Sequence, residues 1–352
     1  MSGDAAAYLR LEVLAEGGNG MIMTGTVGPR VDDLLCLGEI DVDRTQALMR
    51  NSVLKISRGC QDYMRQEHDI LVGCAHPNII PALGLVSDDF VLGPEVKPLV
   101  GILLPRARAS LGQIARGPMS PALLSRLPAH LLGATAHLHE SGIVHADLHS
   151  HNILLFDETW KLCDFGTASQ TGELAGCMML GTPFRSRAPE VVRGIFEVER
   201  ILLDGACGSG EALAMADRTQ GELDERPEWL DTPREAMRMS AQPAMDMWAI
   251  GMTLYEVFQD PRGWMGTPPS VTAEMWSTFP IFPELEALRA ATLDRDRRLD
   301  AVGARHGRLL RYILDASLQD DPAQRWSASE LLRLIEIELA PATTTEVGVA
   351  AA

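Results

Sequence analysis

The stretch that decides the fold reads His145-Ala146-Asp147-Leu148-His149-Ser150-His151-Asn152, and Asp164-Phe165-Gly166 follows after a short hairpin-like segment. Asp147 and Asn152 lie five residues apart in a segment without helical or strand periodicity. Asp164 follows a short apolar run. Such a pattern offers one carboxylate that can meet a hydroxyl group and two side chains that can hold Mg²⁺. These residues therefore indicate phosphoryl transfer.

A glycine turn near the start of the chain is suited to approach phosphate. Residues 9–27 alternate apolar and small side chains around Gly17, Gly18 and Gly20, which predicts a strand, a turn and a second strand. Because glycine has no Cβ, its backbone N–H can come close to a phosphate group. Taken alone the turn is a weak signal, since most glycine turns only reverse the chain.

Two later segments carry a lysine and a glutamate in a defined order. The apolar run Ser52-Val53-Leu54-Lys55-Ile56 predicts a short strand with one lysine. Residues 61–74 have apolar side chains at helical spacing and include Glu67. A solitary strand lysine is usually solvated, as is a solitary helical glutamate. Taken alone, each of the two residues would be read in this way.

Three further motifs follow the central loop. The first is Ala188-Pro189-Glu190, the second is Asp246-Met247-Trp248-Ala249-Ile250-Gly251 in a predicted buried helix, and the third ends at Arg325. A hairpin is predicted between Asn152 and Asp164, which would bring these two candidate metal ligands together.

The motifs, in this order, resemble those of eukaryotic-type protein kinases. The resemblance extends over nearly the whole chain and implies an α+β, bilobal protein-kinase-like fold. It has a small, mostly antiparallel β N-lobe with one main helix and a larger, mainly helical C-lobe. The implied boundaries are an N-lobe at 1–103, a hinge at 104–110, a C-lobe at 111–340 with an insertion near 191–243, and a disordered tail at 341–352.

The same resemblance implies roles for individual side chains. Asp147 would orient or deprotonate a protein hydroxyl, Lys55 held by Glu67 would bind the α and β phosphates of ATP, and Asn152 and Asp164 would hold Mg²⁺. The nucleotide would also be contacted by Leu14, Ala15, Gly17, Gly18, Gly20, Ile22, Val53, Leu104, Arg106 and Leu154. Asp246 would cap the backbone of the central loop, and Arg325 would pair with Glu190. Gly181-Thr182 favours serine/threonine specificity.

Three positions depart from the kinase pattern: Ala15 replaces the first glycine of the turn, Ala146 replaces the common arginine, and His149 replaces the common lysine. Without a cation at position 146, we expect activity that does not require phosphorylation of the activation segment.

The three departures keep open a second reading, a pseudokinase that serves as a scaffold. A small-molecule phosphotransferase is the third reading. The missing arginine, a long first insertion and compact tails are similar to kinases of large DNA viruses, especially herpesviruses.

Composition limits the partners and the compartment. The formal net charge of -17 would repel nucleic acid and anionic membranes and attract basic protein substrates, although it could equally serve only solubility. No run approaches the ~18 apolar residues of a membrane span. The six cysteines form no CxxC pair, which is typical of a reducing compartment. We therefore expect an intracellular protein of the cytoplasm or nucleus, in a host cell if the chain is viral.

The three histidines of the central loop, His145, His149 and His151, raise the alternative of a metal site. No thiolate accompanies them and their spacing is not that of a zinc site. The resemblance to protein kinases implies a structural role for His145, and His149 would lie near the γ-phosphate or be only a filler.

Overall fold

The computed structural model describes residues 9–16, 20–27, 51–57, 61–92, 95–115, 117, 119–176, 186–195, 238–259, 288 and 290–339. These residues form two lobes, a small one built on an antiparallel sheet and a larger one that is mainly helical. The predicted α+β, bilobal architecture is confirmed. None of the helices in these ranges is long and apolar enough to cross a membrane.

The small lobe is a five-stranded antiparallel sheet with the strand order β1-β2-β3-β5-β4. Its strands are β1 (Leu9–Glu16), β2 (Gly20–Val27), β3 (Ser52–Ser57), β4 (Gly84–Leu92) and β5 (Glu95–Pro105). Strand β3 lies at the centre of this order and is buried from Ser52 to Ile56. Because consecutive residues of a strand point to opposite faces, burial of all five shows that both faces are covered, which explains why the sequence is an apolar run rather than an alternation.

Helix α1 (Gln61–Gly73) packs against β3 and β5 of this sheet. After this helix the chain forms a parallel bridge between Ile79 and Leu162. Around the bridge, the Ile80 N–H donates to the Leu162 carbonyl at 2.9 Å and the Leu162 N–H donates to the Asn78 carbonyl at 2.8 Å. The segment after α1 is thereby attached to the larger lobe.

A short strand, a short helix and a long helix begin the larger lobe. They are β6 (Ala109–Ser110), the short helix α2 (Leu111–Ile114) and α3 (Pro121–Glu140). Ser110 and Ser120 cap the two helices through their side chains, and Gly142, at φ 74°, follows the end of α3. A proline at position 128 predicts a kink or a break; no break occurs, and α3 continues through this buried residue. One missing N–H is tolerated in a long helix that is packed against its neighbours.

After α3 come the strands that frame the central loop: β7 (Ile143–Val144), β8 (Ile153–Phe156), β9 (Thr159–Leu162), β10 (Ser169–Gln170), β11 (Leu174–Gly176) and β12 (Arg238–Ser240). Strands β8 and β9 form the predicted hairpin. Four longer helices follow in the described residues: α4 (Pro243–Phe258), α5 (Arg295–His306), α6 (Arg308–Ser317) and α7 (Ala328–Leu339). The core of the lobe includes Trp160 and Trp248, both fully buried.

Some expected boundaries shift. Strand β5 continues through Pro105, so the segment between strands is 106–108 rather than 104–110. Residues 189–195 are helical, so the Ala-Pro-Glu motif leads into a helix and the expected insertion begins after it. The greater part of that insertion, 196–237, lies outside the described residues. So do the expected tail, 341–352, and Gly181-Thr182.

Candidate active site

Lys55 of β3 and Glu67 of α1 form the ion pair that the resemblance to protein kinases implies. The Lys55 Nζ lies 2.7 Å from both Glu67 carboxylate oxygens, and the two residues are 7% and 1% exposed. Burial alone would lower the pKa of Lys55, but the charges of Glu67 and Asp164 raise it above its ordinary value. The lysine therefore stays an ammonium ion at neutral pH, facing the cleft between the lobes.

Asp164 is reached by the same ammonium group. The Lys55 Nζ lies 2.6 Å from Asp164 Oδ1, while the Asp164 side chain remains 39% exposed. Burial would raise the pKa of this carboxyl, and Lys55 lowers it below the usual range. Asp164 adopts φ 64°, a left-handed conformation that aspartate tolerates better than most residues. The result is an ionised carboxylate that is open on one side.

Glu67 also fixes the residue after Asp164. The Phe165 backbone N–H donates to Glu67 Oε1 at 3.1 Å, and the buried Phe165 ring lies 4.7 Å from the His145 ring. One buried glutamate thus holds both the lysine of the small lobe and the backbone next to Asp164.

The central loop takes its shape from α4, where Asp246 is buried in the first turn. Its carboxylate accepts hydrogen bonds from the backbone N–H groups of His145, at 2.8 Å, and Ala146, at 3.0 Å. It also hydrogen-bonds His139 Nε2 at 2.9 Å. Burial would raise the pKa of Asp246, but His139 and the backbone donors lower it. The predicted cap on the loop backbone is present.

Asp147 and Asn152 are joined directly. The Asn152 Nδ2 donates to the Asp147 carbonyl at 2.9 Å and to Asp147 Oδ2 at 3.0 Å. The Cys163 N–H donates to the Asn152 carbonyl at 3.0 Å, which places Asn152 beside the residue before Asp164. The hairpin therefore brings Asp147, Asn152 and Asp164 to one end of the sheet β6-β8-β9.

The oxygen donors at this end suit Mg²⁺. Because both N–H contacts of the Asn152 amide point to Asp147, its carbonyl oxygen is the atom left for a cation. Together with the open side of Asp164 this gives hard oxygen ligands, and Mg²⁺ usually completes its shell with water and substrate phosphates. Within the described ranges, no group of three or more His, Cys, Asp or Glu residues has the arrangement of a metal site.

The residues expected around the nucleotide are located as follows. Ile22 pairs with Ala15 on one side and with Lys55 on the other, so the strands that flank the glycine turn lie in register with the lysine. Leu14 is 47% exposed. Gly20 begins β2, whereas Gly17 and Gly18 lie outside the described residues.

On the other wall of the cleft, Val53 and Leu104 are buried partners across β3 and β5, and Leu154 on β8 is half-buried. Arg106 is exposed, and its backbone N–H donates to the Asn51 carbonyl at 2.7 Å. The resemblance implies that backbone groups of residues 104–106 contact the base; Asn51 engages the Arg106 N–H, and the contact through the other groups stays a prediction.

Some contacts of the site had no sequence signal. His139 supports Asp246, and the Lys161 Nζ donates to the Pro77 carbonyl beneath the Ile79 bridge. Each pair is distant in sequence and neither belongs to a motif, so only the folded chain reveals them.

Comparison with known proteins agrees with this geometry. The protein kinase domain family model matches residues 43–198. The chain is 27% identical over 192 residues to bck1, a mitogen-activated protein kinase kinase kinase of Aspergillus fumigatus, which covers 53% of this chain and 11% of the fungal protein. It is 35% identical over 132 residues to the cytokinesis protein sepH of Aspergillus terreus, covering 37% of this chain and 9% of that protein.

A third relative, the serine/threonine-protein kinase KIC1 of Saccharomyces cerevisiae, is 26% identical over 248 residues, covering 68% of this chain and 17% of the yeast protein. The chain thus spans less than a fifth of the length of each of these relatives. The family match and the two-lobed architecture define the fold as the bilobal protein kinase fold. Over the matched residues, the chain is similar to the protein kinase domain family model and to the kinases bck1 and KIC1.

Proposed function

We propose that this chain is an ATP- and Mg²⁺-dependent protein kinase that transfers the γ-phosphate to serine or threonine hydroxyls of proteins. One observation carries the proposal: Lys55 contacts both Glu67 and Asp164, next to the joined pair of Asp147 and Asn152. These are the residue types that phosphoryl transfer needs to hold a triphosphate and to orient a hydroxyl.

In this mechanism, Lys55 holds the α and β phosphates and Glu67 keeps its ammonium group in position. The acceptor hydroxyl gives its proton to Asp147 as its oxygen bonds to the γ-phosphorus, and the bond from that phosphorus to the bridging oxygen of ADP breaks. Mg²⁺ held by Asn152 and Asp164 would neutralise charge on the phosphates. Most of the acceleration then comes from positioning and electrostatic stabilisation.

The test is transfer of radiolabelled phosphate from ATP to peptides that differ only in a serine, threonine or tyrosine acceptor. We expect Mg²⁺-dependent labelling of the serine and threonine peptides and a loss of about 10²-fold or more in Lys55→Met and in Asp164→Asn. The matched control is Lys97→Met, because Lys97 pairs with Phe90 near the far end of β4 and β5. Labelling that persists in Lys55→Met and Asp164→Asn would contradict the proposal.

The alternatives give different results in the same assay. A pseudokinase scaffold would show no labelling with any peptide, and a small-molecule phosphotransferase would label metabolites instead. Peptides with basic flanks test whether the net charge of -17 selects basic substrates. Because salt screens the attraction between charges, a fall in kcat/KM with added salt for these peptides supports that selection.

The origin and compartment belong to the same proposal. The absence of arginine at Ala146 supports a kinase of the type carried by large DNA viruses, and the scattered cysteines support an intracellular location in the cytoplasm or nucleus.

A further inference from the structure

His149 lies in the central loop with its imidazole ring beside Asp147. The residue precedes a short 3₁₀ turn, Ser150–Asn152, and its Nδ1 accepts a hydrogen bond from the His151 backbone N–H at 3.2 Å. A ring nitrogen that accepts from a backbone N–H carries no proton itself. In the neutral ring the proton therefore lies on Nε2.

The protonated Nε2 faces the side of Asp147 that Asn152 leaves free. It lies 3.6 Å from Asp147 Oδ1, whereas Asn152 binds Oδ2. Asp147 Oδ1 is buried, and within the described part of the chain it has no hydrogen-bond partner. A buried carboxylate oxygen without a donor is costly, so a donor in this position has a function to serve.

The separation of 3.6 Å is too long for a hydrogen bond, but both side chains are mostly buried, at 17% and 15% exposure. Hydrogen bonds of catalytic groups are often long before substrate binds and shorten in the complex. Oδ1 has two lone pairs, and one of them can meet the acceptor hydroxyl while the other accepts from Nε2.

We propose that His149 is a positioning residue that donates its Nε2–H to Asp147 Oδ1 in the substrate complex and so holds this oxygen towards the acceptor hydroxyl. This inference rests on the proposed kinase function. It differs from a purely structural role, in which only the Nδ1 contact to the His151 N–H would matter.

Two substitutions separate the two roles. In His149→Asn the side-chain oxygen replaces Nδ1 as the acceptor for the turn, but no donor reaches the Nε2 position. In His149→Gln an amide N–H reaches about that far, so donation to Asp147 is restored. His149→Asn thus keeps an acceptor for the His151 N–H but removes the donor to Asp147 Oδ1, whereas His149→Gln keeps that donor.

The experiment measures kcat and KM with Mg²⁺-ATP and a serine peptide, together with the thermal midpoint Tm. We expect His149→Asn to lower kcat about tenfold or more with both KM values and Tm nearly unchanged, and His149→Gln to recover most of kcat. In an Asp147→Asn background, His149→Asn should cause no further loss, because the two side chains act as a unit.

A second readout does not depend on turnover. NMR of ¹⁵N-histidine-labelled wild-type protein, with His149→Asn to assign the signal, should show the tautomer protonated at Nε2. An unchanged kcat in His149→Asn, additive losses with Asp147→Asn, or a tautomer protonated at Nδ1 would each overturn the inference. If the wild-type chain transfers no phosphate at all, the proposed function itself fails, and the inference fails with it.

Discussion

Ala146 adopts φ 62°, a left-handed conformation that is uncommon for a residue with a Cβ. Such a conformation costs on the order of 1–3 kcal/mol and persists only where the surroundings impose it. Here Asp246 imposes it, since its carboxylate binds the N–H groups of His145 and Ala146. The turn at Ala146 sets the direction in which Asp147 enters the cleft.

We expect Asp246→Asn to lower the free energy of unfolding by on the order of 3 kcal/mol and kcat by about tenfold or more. Two backbone N–H groups and His139 bind this carboxylate. An asparagine has only one acceptor oxygen, so its NH₂ group would face one of these donors. Urea unfolding and peptide phosphorylation measure the two effects. Asp296→Asn is the matched control, because the Asp296 side chain is 90% exposed, and equal effects in both variants would contradict this account.

At the scale of single residues, the sequence predicted those contacts whose partners both lie in motifs. Lys55 with Glu67, Asp246 with the loop backbone and Arg325 with Glu190 belong to this group, and the last pair forms two bonds of 2.7 Å. The contact of His139 with Asp246 was not predicted, because a histidine near a helix end has many possible partners and only the packing of α3 on α4 selects one.

At the scale of elements, the segment that follows Asp164-Phe165-Gly166, which corresponds to the activation segment of the kinase pattern, pairs with the chain that follows the insertion. Strand β11 pairs antiparallel with β12 over three residues. The ladder is extended by the Gly172 N–H, which donates to the Ala241 carbonyl at 2.9 Å, and by the Ala241 N–H, which donates to the Glu173 carbonyl at 2.9 Å. The sequence did not predict this pairing, because three-residue strands carry almost no periodicity.

This ladder offers a physical reason for activity without phosphorylation, which the alanine at position 146 predicts. We expect Ala175→Pro to lower kcat about tenfold, because proline has no N–H to donate at the centre of the ladder, where Ala175 pairs with Met239. Ala175→Gly keeps the N–H and is the matched control. Both are assayed with a serine peptide at equal protein concentration.

Phosphatase treatment of the wild-type protein completes that test, with complete removal of phosphate verified by mass spectrometry. Turnover should remain unchanged if backbone pairing, rather than a phosphate group, holds the segment. Loss of turnover after treatment, or an active Ala175→Pro, would show that the ladder does not hold it.

At the scale of the whole molecule, the loop after α1 joins the lobes through a pair of histidines. The rings of His76 and His137 stack with centroids 5.2 Å apart and an angle of 24° between their planes. The His76 Nδ1 accepts from the Asn78 N–H at 3.1 Å. The positions are far apart in the sequence, and each alone is typical of an ordinary surface histidine, so the joint emerges only from the packing of both lobes.

Burial lowers the pKa of His76, and the neighbouring His137 and Lys161 lower it further. Burial also lowers the pKa of His130, with Arg126 and Lys161 adding to the effect. His137 and Arg126 on α3 and Lys161 on β9 are thus the groups that act on the rings of His76 and His130. The rings of His76 and His130 therefore stay neutral in the folded chain under mildly acidic conditions that protonate them in the unfolded chain.

As the pH falls through about 6.5, the ordinary value for histidine, the unfolded chain takes up protons that the folded His76 and His130 do not. Stability from these groups is therefore present above pH 6.5 and is lost below it. We expect the free energy of unfolding in urea to fall between pH 7.5 and 5.5, and to fall less in His76→Asn/His130→Asn, where the side-chain oxygens can replace the Nδ1 acceptors. As the control, His306→Asn changes an exposed histidine and should leave the pH dependence of the free energy of unfolding as in the wild type. If the double variant also shows the wild-type pH dependence, other groups cause it.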